Sequence, residues 1–171
     1  MSNSRPSRIS LIGMPGSGKS TVGVLLAKRI GLAFVDTDIL IQEQEQATLA
    51  EIIARSNAFA LREIEEQVLL DMPITDSVIS TGGSVVYSPA IMERLSAAST
   101  VVYLRAQLET VDYRISLAPD RGIASPGNHT LEDVYNERAP RYEQYSDIVV
   151  DVDHDTPEAI TGQIIAQLDT L

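Results

Sequence analysis

The chain has 171 residues, a length that suits one domain with a full hydrophobic core, and we expect residues 1–171 to form that single domain. Its formal net charge of −11 repels nucleic-acid phosphates, so we expect no nucleic-acid partner. Cysteine is absent, which excludes disulfides and thiolate metal sites, and no apolar run approaches the ~20 residues that cross a membrane. The polar first residues lack the apolar core of a secretory signal, so we expect a cytoplasmic protein with no membrane partner. We also expect a monomer.

The most informative stretch is a glycine-rich loop between a predicted strand and a predicted helix. The apolar run at residues 9–12 predicts the strand, and the run at 22–30 predicts the helix. The loop between them reads GMPGSGKST and matches the phosphate-loop pattern: one glycine, four residues and then Gly-Lys-Ser. An ordinary glycine-rich turn is the alternative, but both the pattern and its context are present. The residues expected to bind a nucleotide are Gly13, Gly16, Ser17, Gly18, Lys19, Ser20 and Thr21.

Each of these residue types has a physical reason to contact phosphate. Glycines let backbone N–H groups approach an anion closely at the positive end of a helix. Lys19 is placed to reach the β- and γ-phosphates, and the hydroxyl of Ser20 is placed to ligate Mg²⁺. The loop therefore predicts binding of a nucleotide phosphate together with Mg²⁺.

Beyond this loop, short apolar strands alternate with helices. Further strands are predicted at residues 32–35, 78–81, 100–104 and 147–151. Helices are predicted at residues 36–43, 48–54, 58–70 and 107–116, from residue 89, at 130–145 and from residue 156. Pro140 is expected to kink or interrupt the helix that contains it. The alternation favours a parallel sheet covered on both faces, with ligands bound at the carboxyl ends of its strands.

Two polar stretches follow the second and third predicted strands, where such a ligand would bind. Asp36 and Asp38 follow the second strand, so one carboxylate can face a metal and the other an acceptor hydroxyl that must lose its proton. The alternative is that one aspartate caps the next helix. Gly82 and Gly83 follow the third strand and permit close approach of a ligand, although a simple tight turn explains them equally well.

Basic residues are few relative to acidic ones in this chain, so arginines near a site are informative. Arg62 lies in the helix predicted at residues 58–70, and a salt bridge within that helix is the alternative to a binding role. The glutamates expected on the solvated side of the helix are Glu63, Glu65 and Glu66. Arg138 and Arg141 could likewise pair with neighbouring glutamates, and we interpret Arg141 as structural.

The order and spacing of these features resemble the shikimate kinases, small P-loop kinases similar in fold to the nucleoside-monophosphate kinases. The resemblance rests on the phosphate loop, FVDTD at 34–38, LR at 61–62, TGG at 81–83, Arg114, Arg121 and ERAPRY at 137–142. It covers residues 13–151, and the combination is far more specific than the loop alone. It implies a three-layer α/β P-loop kinase fold: helices on both faces of a five-stranded parallel sheet in the order 2-3-1-4-5, with a mobile lid at residues 117–128.

On the acceptor side, the resemblance implies a role for each matching residue. Asp38 would contact the shikimate hydroxyls and act as the base. Arg62 and Arg138 would bind the shikimate carboxylate, a role that suits the planar fork of a guanidinium group. Gly82 and Gly83 would bring backbone N–H groups to the substrate.

On the nucleotide side, the resemblance implies that Asp36 lies near Mg²⁺ through a water molecule. Arg121 would close over the phosphates as part of the lid. Arg114 would pack on the adenine of ATP.

Four positions depart from the usual pattern of that family. Ser84 stands where a third glycine is usual, and the lid reads RGIA at residues 121–124 where Arg-Pro-Leu-Leu is usual. Leu61 replaces the phenylalanine before the helix arginine, and residues 57–58 read NA where Gly-Glu is usual. These departures concern the lid and the acceptor pocket and leave the phosphate loop intact.

The sequence therefore predicts a kinase that uses ATP and Mg²⁺ to phosphorylate a hydroxyl of a small carboxylic acid. The resemblance makes the 3-hydroxyl of shikimate the expected acceptor, a step in aromatic amino acid biosynthesis. Lys19 and Arg121 would neutralise the developing charge. The alternatives are a related kinase that acts on another hydroxy acid and a non-catalytic nucleotide-binding module. A nucleoside-monophosphate kinase is less favoured because no base-reading segment is evident.

Overall fold

The computed structural model describes residues 5–118, residue 123 and residues 127–171. Within them, a parallel sheet contains β1 (Arg8–Ile12), β2 (Ala33–Asp36), β3 (Ser77–Ser80), β4 (Thr100–Arg105) and β5 (Ile148–Asp151). The strand order is β2-β3-β1-β4-β5 and every neighbouring pair is parallel, which confirms the predicted fold class and order. The predicted lid lies largely outside the described residues, and so does Arg121.

Helices connect consecutive strands. They are α1 (Lys19–Ile30), α2 (Thr37–Glu45), α3 (Leu49–Arg55), α4 (Ala58–Asp71), α5 (Pro89–Ala98), α6 (Leu108–Ser116), α7 (Leu131–Tyr145) and α8 (Pro157–Leu168). The predicted capping box at Thr48 is confirmed, since its hydroxyl accepts from the Glu51 N–H and the Glu51 carboxylate accepts from the Thr48 N–H. None of the described helices is long and apolar enough to cross a membrane.

The sheet forms the centre of the hydrophobic core. Residues of the inner strands, such as Leu11, Ile79 and Val102, are completely buried because helices cover both faces of a parallel sheet. A second, smaller apolar cluster joins α2, α3 and α4 and contains Ile41 and Ile52. This cluster fixes the three helices beside the carboxyl end of β2.

Two local predictions need correction. The turn after β3 continues into a short 3₁₀ helix, Gly83–Tyr87, which the glycines did not indicate. Helix α7 continues through Pro140, so the helix is not interrupted there and the kink stays a prediction; proline in a helix removes one hydrogen bond and costs about 3 kcal/mol. The buried side chains of Arg138 and Tyr142 flank Pro140 on the inner face of α7.

Candidate active site

A cleft of about 1270 Å³ opens at the carboxyl ends of the strands, where the topology places ligand sites. Predicted residues from five separate places in the sequence line it together. They are Gly16, Ser17, Gly18, Lys19, Ser20 and Thr21 of the loop, Asp36 and Asp38 after β2, Gly82 and Gly83 after β3, and Arg114 and Arg138. The tertiary structure thus brings most of the predicted nucleotide residues and acceptor residues into one cavity, while Arg62 lies outside its lining.

The phosphate loop adopts a conformation that requires glycine. Gly18 is the N-cap of α1 and has a φ of 96°, in the left-handed region. Gly13 has a φ of 151°, and a Cβ atom there would lie 2.7 Å from the carbonyl oxygen of Leu104. The loop therefore wraps tightly around the start of α1, where free backbone N–H groups and the helix dipole favour an anion.

Lys19, the first residue of α1, is buried at 8% exposure. Its ammonium donates hydrogen bonds to the carbonyl oxygens of Gly13 (2.8 Å) and Met14 (2.9 Å). A buried ammonium needs such partners because its removal from water is costly. The bonds hold one positive charge across the loop, beside the position expected for the phosphates.

Ser20 and Asp36 bring two oxygen-bearing side chains together beside the loop. The Ser20 hydroxyl donates to Asp36 Oδ2 at 2.6 Å, and Asp36 Oδ1 accepts from the Asp38 N–H at 3.0 Å. Asp36 therefore caps α2, as the alternative interpretation expected, and also faces the loop. This pair of oxygens fits Mg²⁺, which prefers oxygen ligands and binds with few protein groups beside phosphates and water. In the described part of the chain, no group of three acidic, histidine or cysteine side chains could hold a metal.

The two glycines after β3 are required by close approach of side chains. A Cβ atom on Gly82 would overlap Glu65 Oε1 and lie 3.2 Å from Asp38 Oδ1. A Cβ atom on Gly83 would lie 2.8 Å from Pro15 Cδ and 3.0 Å from an Arg138 nitrogen. The backbone here therefore passes close to Pro15 of the phosphate loop and to the side chains of Asp38 and Arg138.

Helix α7 supplies a buried arginine at the same place. Arg138 is only 1% exposed, and its Nε donates to the hydroxyl of Tyr87 at 3.3 Å. Tyr142, one turn further along α7, donates a hydrogen bond to the Gly83 carbonyl and packs on Tyr103. The late Arg-x-Pro-x-Tyr motif thus attaches α7 to the turn after β3 and places Arg138 in the cleft.

The observed position of Glu65 in α4 differs from the predicted one. We expected this residue on the solvated side, but it is 4% exposed and lines the cleft. The hydroxyl of Ser84 donates to Glu65 Oε2, and Oε1 has no hydrogen-bond partner among the described residues. Burial raises the pKa of Glu65 to about 7, against the lowering effect of the Ser84 hydrogen bond. The helical period contained the missed signal, because Glu65 lies four residues after Leu61 and three before Val68, both buried.

Glu65 is expected to make stability depend on pH. Its carboxyl has a pKa of about 7 in the folded protein against an ordinary value of 4.5, so folding favours the protonated form. Its contribution to stability is therefore full below about pH 4.5 and is lost as pH rises to about 7, by about 3 kcal/mol in all. Glu65→Gln should remove this dependence, so the variant gains stability relative to the wild type as pH rises. Urea unfolding at several pH values measures the difference.

Glu63→Gln, an exposed glutamate of the same helix, is the matched control and should keep the wild-type pH dependence. If the free energy of unfolding changes with pH equally in the wild type and in Glu65→Gln, the raised pKa of Glu65 is contradicted.

The other arginines also have defined contacts. The guanidinium of Arg62 lies 3.9 Å from the centre of the Tyr87 ring, and that of Arg141 lies 5.1 Å from the same centre. Glu143, the expected alternative partner of Arg141, accepts a hydrogen bond from Arg105. Arg62 lines a cavity of about 240 Å³ that adjoins the cleft.

Arg114 links two segments that line the cleft. Arg114 donates to the carbonyl oxygens of Gly16 (3.1 Å) and Val152 (3.0 Å), so it joins the phosphate loop to the segment after β5. Asp155 and Pro157 of that segment also line the cleft, which we did not predict. These two residues follow a strand of the parallel sheet, and this position could have indicated that they line a ligand site.

Comparison with known proteins agrees with this geometry. The family model described as "Shikimate kinase" matches residues 15–169. The chain is 36% identical over 163 residues to a shikimate kinase of Paracidovorax citrulli, covering 92% of this chain and 89% of that protein. It is 35% identical over 181 residues to one of Chlorobium chlorochromatii, covering 97% and 95%.

A solved structure is similar in fold over nearly the whole chain. The shikimate kinase of Acinetobacter baumannii, in complex with shikimate, superposes with a TM-score of 0.88 and 26% identity, covering 98% of this chain and 95% of that one. The family match, the relatives and the solved structure each cover nearly the whole chain. The chain therefore belongs to the shikimate kinase family.

Proposed function

We infer that this protein transfers the γ-phosphoryl group of ATP to the 3-hydroxyl of shikimate, giving shikimate 3-phosphate and ADP. The observation that carries this proposal is the single cleft that joins the phosphate loop to the buried Arg138, the residue type that binds carboxylates. Membership of the family, and the shikimate bound to the Acinetobacter baumannii relative, identify the acceptor. The protein is then a phosphotransferase that acts on an alcohol group.

On the nucleotide side, the backbone N–H groups of residues 13–20 would bind the β- and γ-phosphates, and Lys19 would neutralise charge on the transferred group. Arg121 would add a second positive charge from the lid. Ser20 would hold Mg²⁺ directly and Asp36 would hold it through water. When bound, Mg²⁺ neutralises charge on the phosphate oxygens. Arg114 would pack against the adenine.

On the acceptor side, Arg62 and Arg138 would bind the carboxylate of shikimate. Gly82 and Gly83 would supply backbone N–H groups, and the Asp38 carboxylate would orient the reacting hydroxyl and accept its proton. The hydroxyl oxygen attacks the γ-phosphorus, the bond to the bridging oxygen breaks, and its electron pair leaves with ADP. The proximity of Asp38 to Gly82, beside the loop, supports this arrangement.

Another hydroxy-acid acceptor is the second candidate, because Ser84 replaces a glycine in the acceptor pocket. The Ser84 hydroxyl donates its hydrogen bond to Glu65, so Ser84 has no proton left to donate to a bound substrate. This contact favours shikimate over a substrate that would need a new donor there. A cytoplasmic location, a monomeric state and a single domain over residues 1–171 remain predictions.

An ADP-release assay with Mg²⁺ and ATP tests the proposal. Shikimate, gluconate, homoserine and nucleoside monophosphates are compared as acceptors at equal concentration. We expect efficient turnover with shikimate alone. Efficient turnover of another acceptor without turnover of shikimate would contradict the substrate, and no turnover of any acceptor would favour a binding module.

A further inference from the structure

One aromatic ring contacts three arginines beside the acceptor site. The ring centre of Tyr87 lies 3.9 Å from the guanidinium carbon of Arg62, 5.1 Å from that of Arg141 and 5.2 Å from that of Arg138. Arg138 also donates a hydrogen bond to the Tyr87 hydroxyl at 3.3 Å. The ring and its hydroxyl therefore contact both arginines that would bind the acceptor carboxylate.

The position of Tyr87 follows from the short 3₁₀ helix after the two glycines. Val85 and Val86 are each 1% exposed and anchor this helix in the core. Tyr87 is its last residue, and the helix packs against both α4, which carries Arg62, and α7, which carries Arg138 and Arg141. The ring thus lies between two helices that are distant in sequence.

The ring has a physical reason to order these side chains. The face of an aromatic ring is electronegative and attracts a cation, and a planar guanidinium stacks on it more readily than an ammonium does. Arginine otherwise has many rotamers, and fixing them costs entropy when a ligand binds. Contact with Tyr87 restricts Arg62 and Arg138 before the acceptor arrives, and the negative face reduces repulsion between the two cations.

We propose that Tyr87 is a positioning residue for the acceptor, which holds Arg62 and Arg138 in the arrangement that binds its carboxylate. Tyr87 lines the smaller cavity next to the cleft and is not among the residues that line the cleft itself, so it acts through the arginines. The inference rests on the proposed carboxylate-binding role of those two residues. This role gives a function to Tyr87, which is not part of any motif predicted from the sequence.

The test compares the steady-state kinetics of four variants with the wild type. Tyr87→Leu removes the ring and should raise the KM for shikimate about tenfold, while the KM for ATP stays within about twofold. Tyr87→Phe keeps the ring and loses only the hydroxyl, so the KM for shikimate should rise no more than about threefold. Tyr87→Met is made in parallel, because its flexible side chain fills similar space without a ring, and should behave as Tyr87→Leu.

Arg141→Gln is the matched control, since this exposed arginine contacts the same ring but has no proposed substrate role. Its KM for shikimate should stay within about twofold of the wild type. Thermal unfolding with and without ADP checks that each variant folds and binds nucleotide. A wild-type KM for shikimate in folded Tyr87→Leu or Tyr87→Met would overturn the proposal, and so would equal increases in the KM of both substrates.

A double-mutant cycle separates this inference from the proposed function. If Tyr87 acts through Arg62, then Tyr87→Leu should have a clearly smaller effect in the Arg62→Ala background than in the wild type. Equal effects in both backgrounds would overturn the role of Tyr87 at Arg62 and leave the carboxylate role intact. If Arg62→Ala and Arg138→Ala both leave the KM for shikimate unchanged, the carboxylate role itself fails, and the proposal fails with it.

Discussion

Lys19→Ala is expected to abolish phosphoryl transfer, with kcat reduced by at least about 10³-fold. The wild-type ammonium is buried and held by two carbonyl oxygens of the loop, so its charge lies at a fixed place beside the phosphates. An alanine leaves no cation there to neutralise the charge that develops on the transferred group. Shikimate-dependent release of ADP, at saturating ATP and Mg²⁺, measures the effect.

Lys28→Ala is the matched control, because Lys28 is an exposed lysine in the last turn of the same helix. It should turn over at the wild-type rate. Circular dichroism and thermal unfolding establish whether Lys19→Ala is folded, since the replaced side chain also bonds to the loop. A folded Lys19→Ala enzyme with kcat within tenfold of the wild type would remove Lys19 from the mechanism.

Asp38→Asn is expected to reduce kcat by about 10²- to 10⁴-fold while binding of ATP is retained. The amide has nearly the same shape as the carboxylate but cannot accept the proton of the acceptor hydroxyl. The N-cap of α2 survives this change, because Asp36 accepts from the backbone N–H of residue 38 and not from its side chain. The kinetic assay, with nucleotide affinity measured by calorimetry, separates the chemical step from binding.

Asp112→Asn, an exposed aspartate of α6, is the control and should keep full activity. Near-normal turnover by Asp38→Asn would exclude Asp38 as the base. A parallel loss of ATP affinity would instead indicate that Asp38 supports the nucleotide site, through Asp36 and Ser20.

The elements of the fold were largely predictable because their signals are local. Apolar runs separated by helical periods indicate buried parallel strands, and the boundaries observed for β1 to β5 differ from the predicted ones by at most one residue. The strand order had a different origin. Hydrophobic pattern identifies strands but not their neighbours, so the order came from the resemblance to a family and is confirmed by the pairing.

The candidate site also has a part that is predictable from local sequence and a part that only the structure shows. The phosphate loop is contiguous in sequence, and its glycines, lysine and serine could be assigned from their spacing alone. The dual contact of Asp36, which caps α2 and accepts from Ser20, is visible only in the structure, because the sequence offered capping as the alternative to a functional role. Asp36 makes both contacts because β2 ends beside the start of α1, and its role beside a metal stays a prediction.

For Glu65, Gly82 and Tyr87, only the packing of distant segments defined the environment. A glutamate followed by another glutamate in a helix indicates solvent, yet Glu65 faces inward because α4 packs against the turn after β3. Gly82 excludes a Cβ atom because Glu65 and Asp38 occupy that space.

Residue pattern and spacing in this chain identify the strands, the helices and the phosphate loop, because those features depend on neighbours along the sequence. They did not reveal that Ser84 would bind Glu65, or that Tyr87 would contact arginines of both α4 and α7. Those contacts join segments that are about 20 to 50 residues apart in sequence, and they exist only after the sheet has brought the ends of its strands together. Burial and charge environment are properties of that assembly, and they decide how the acceptor half of the site is built.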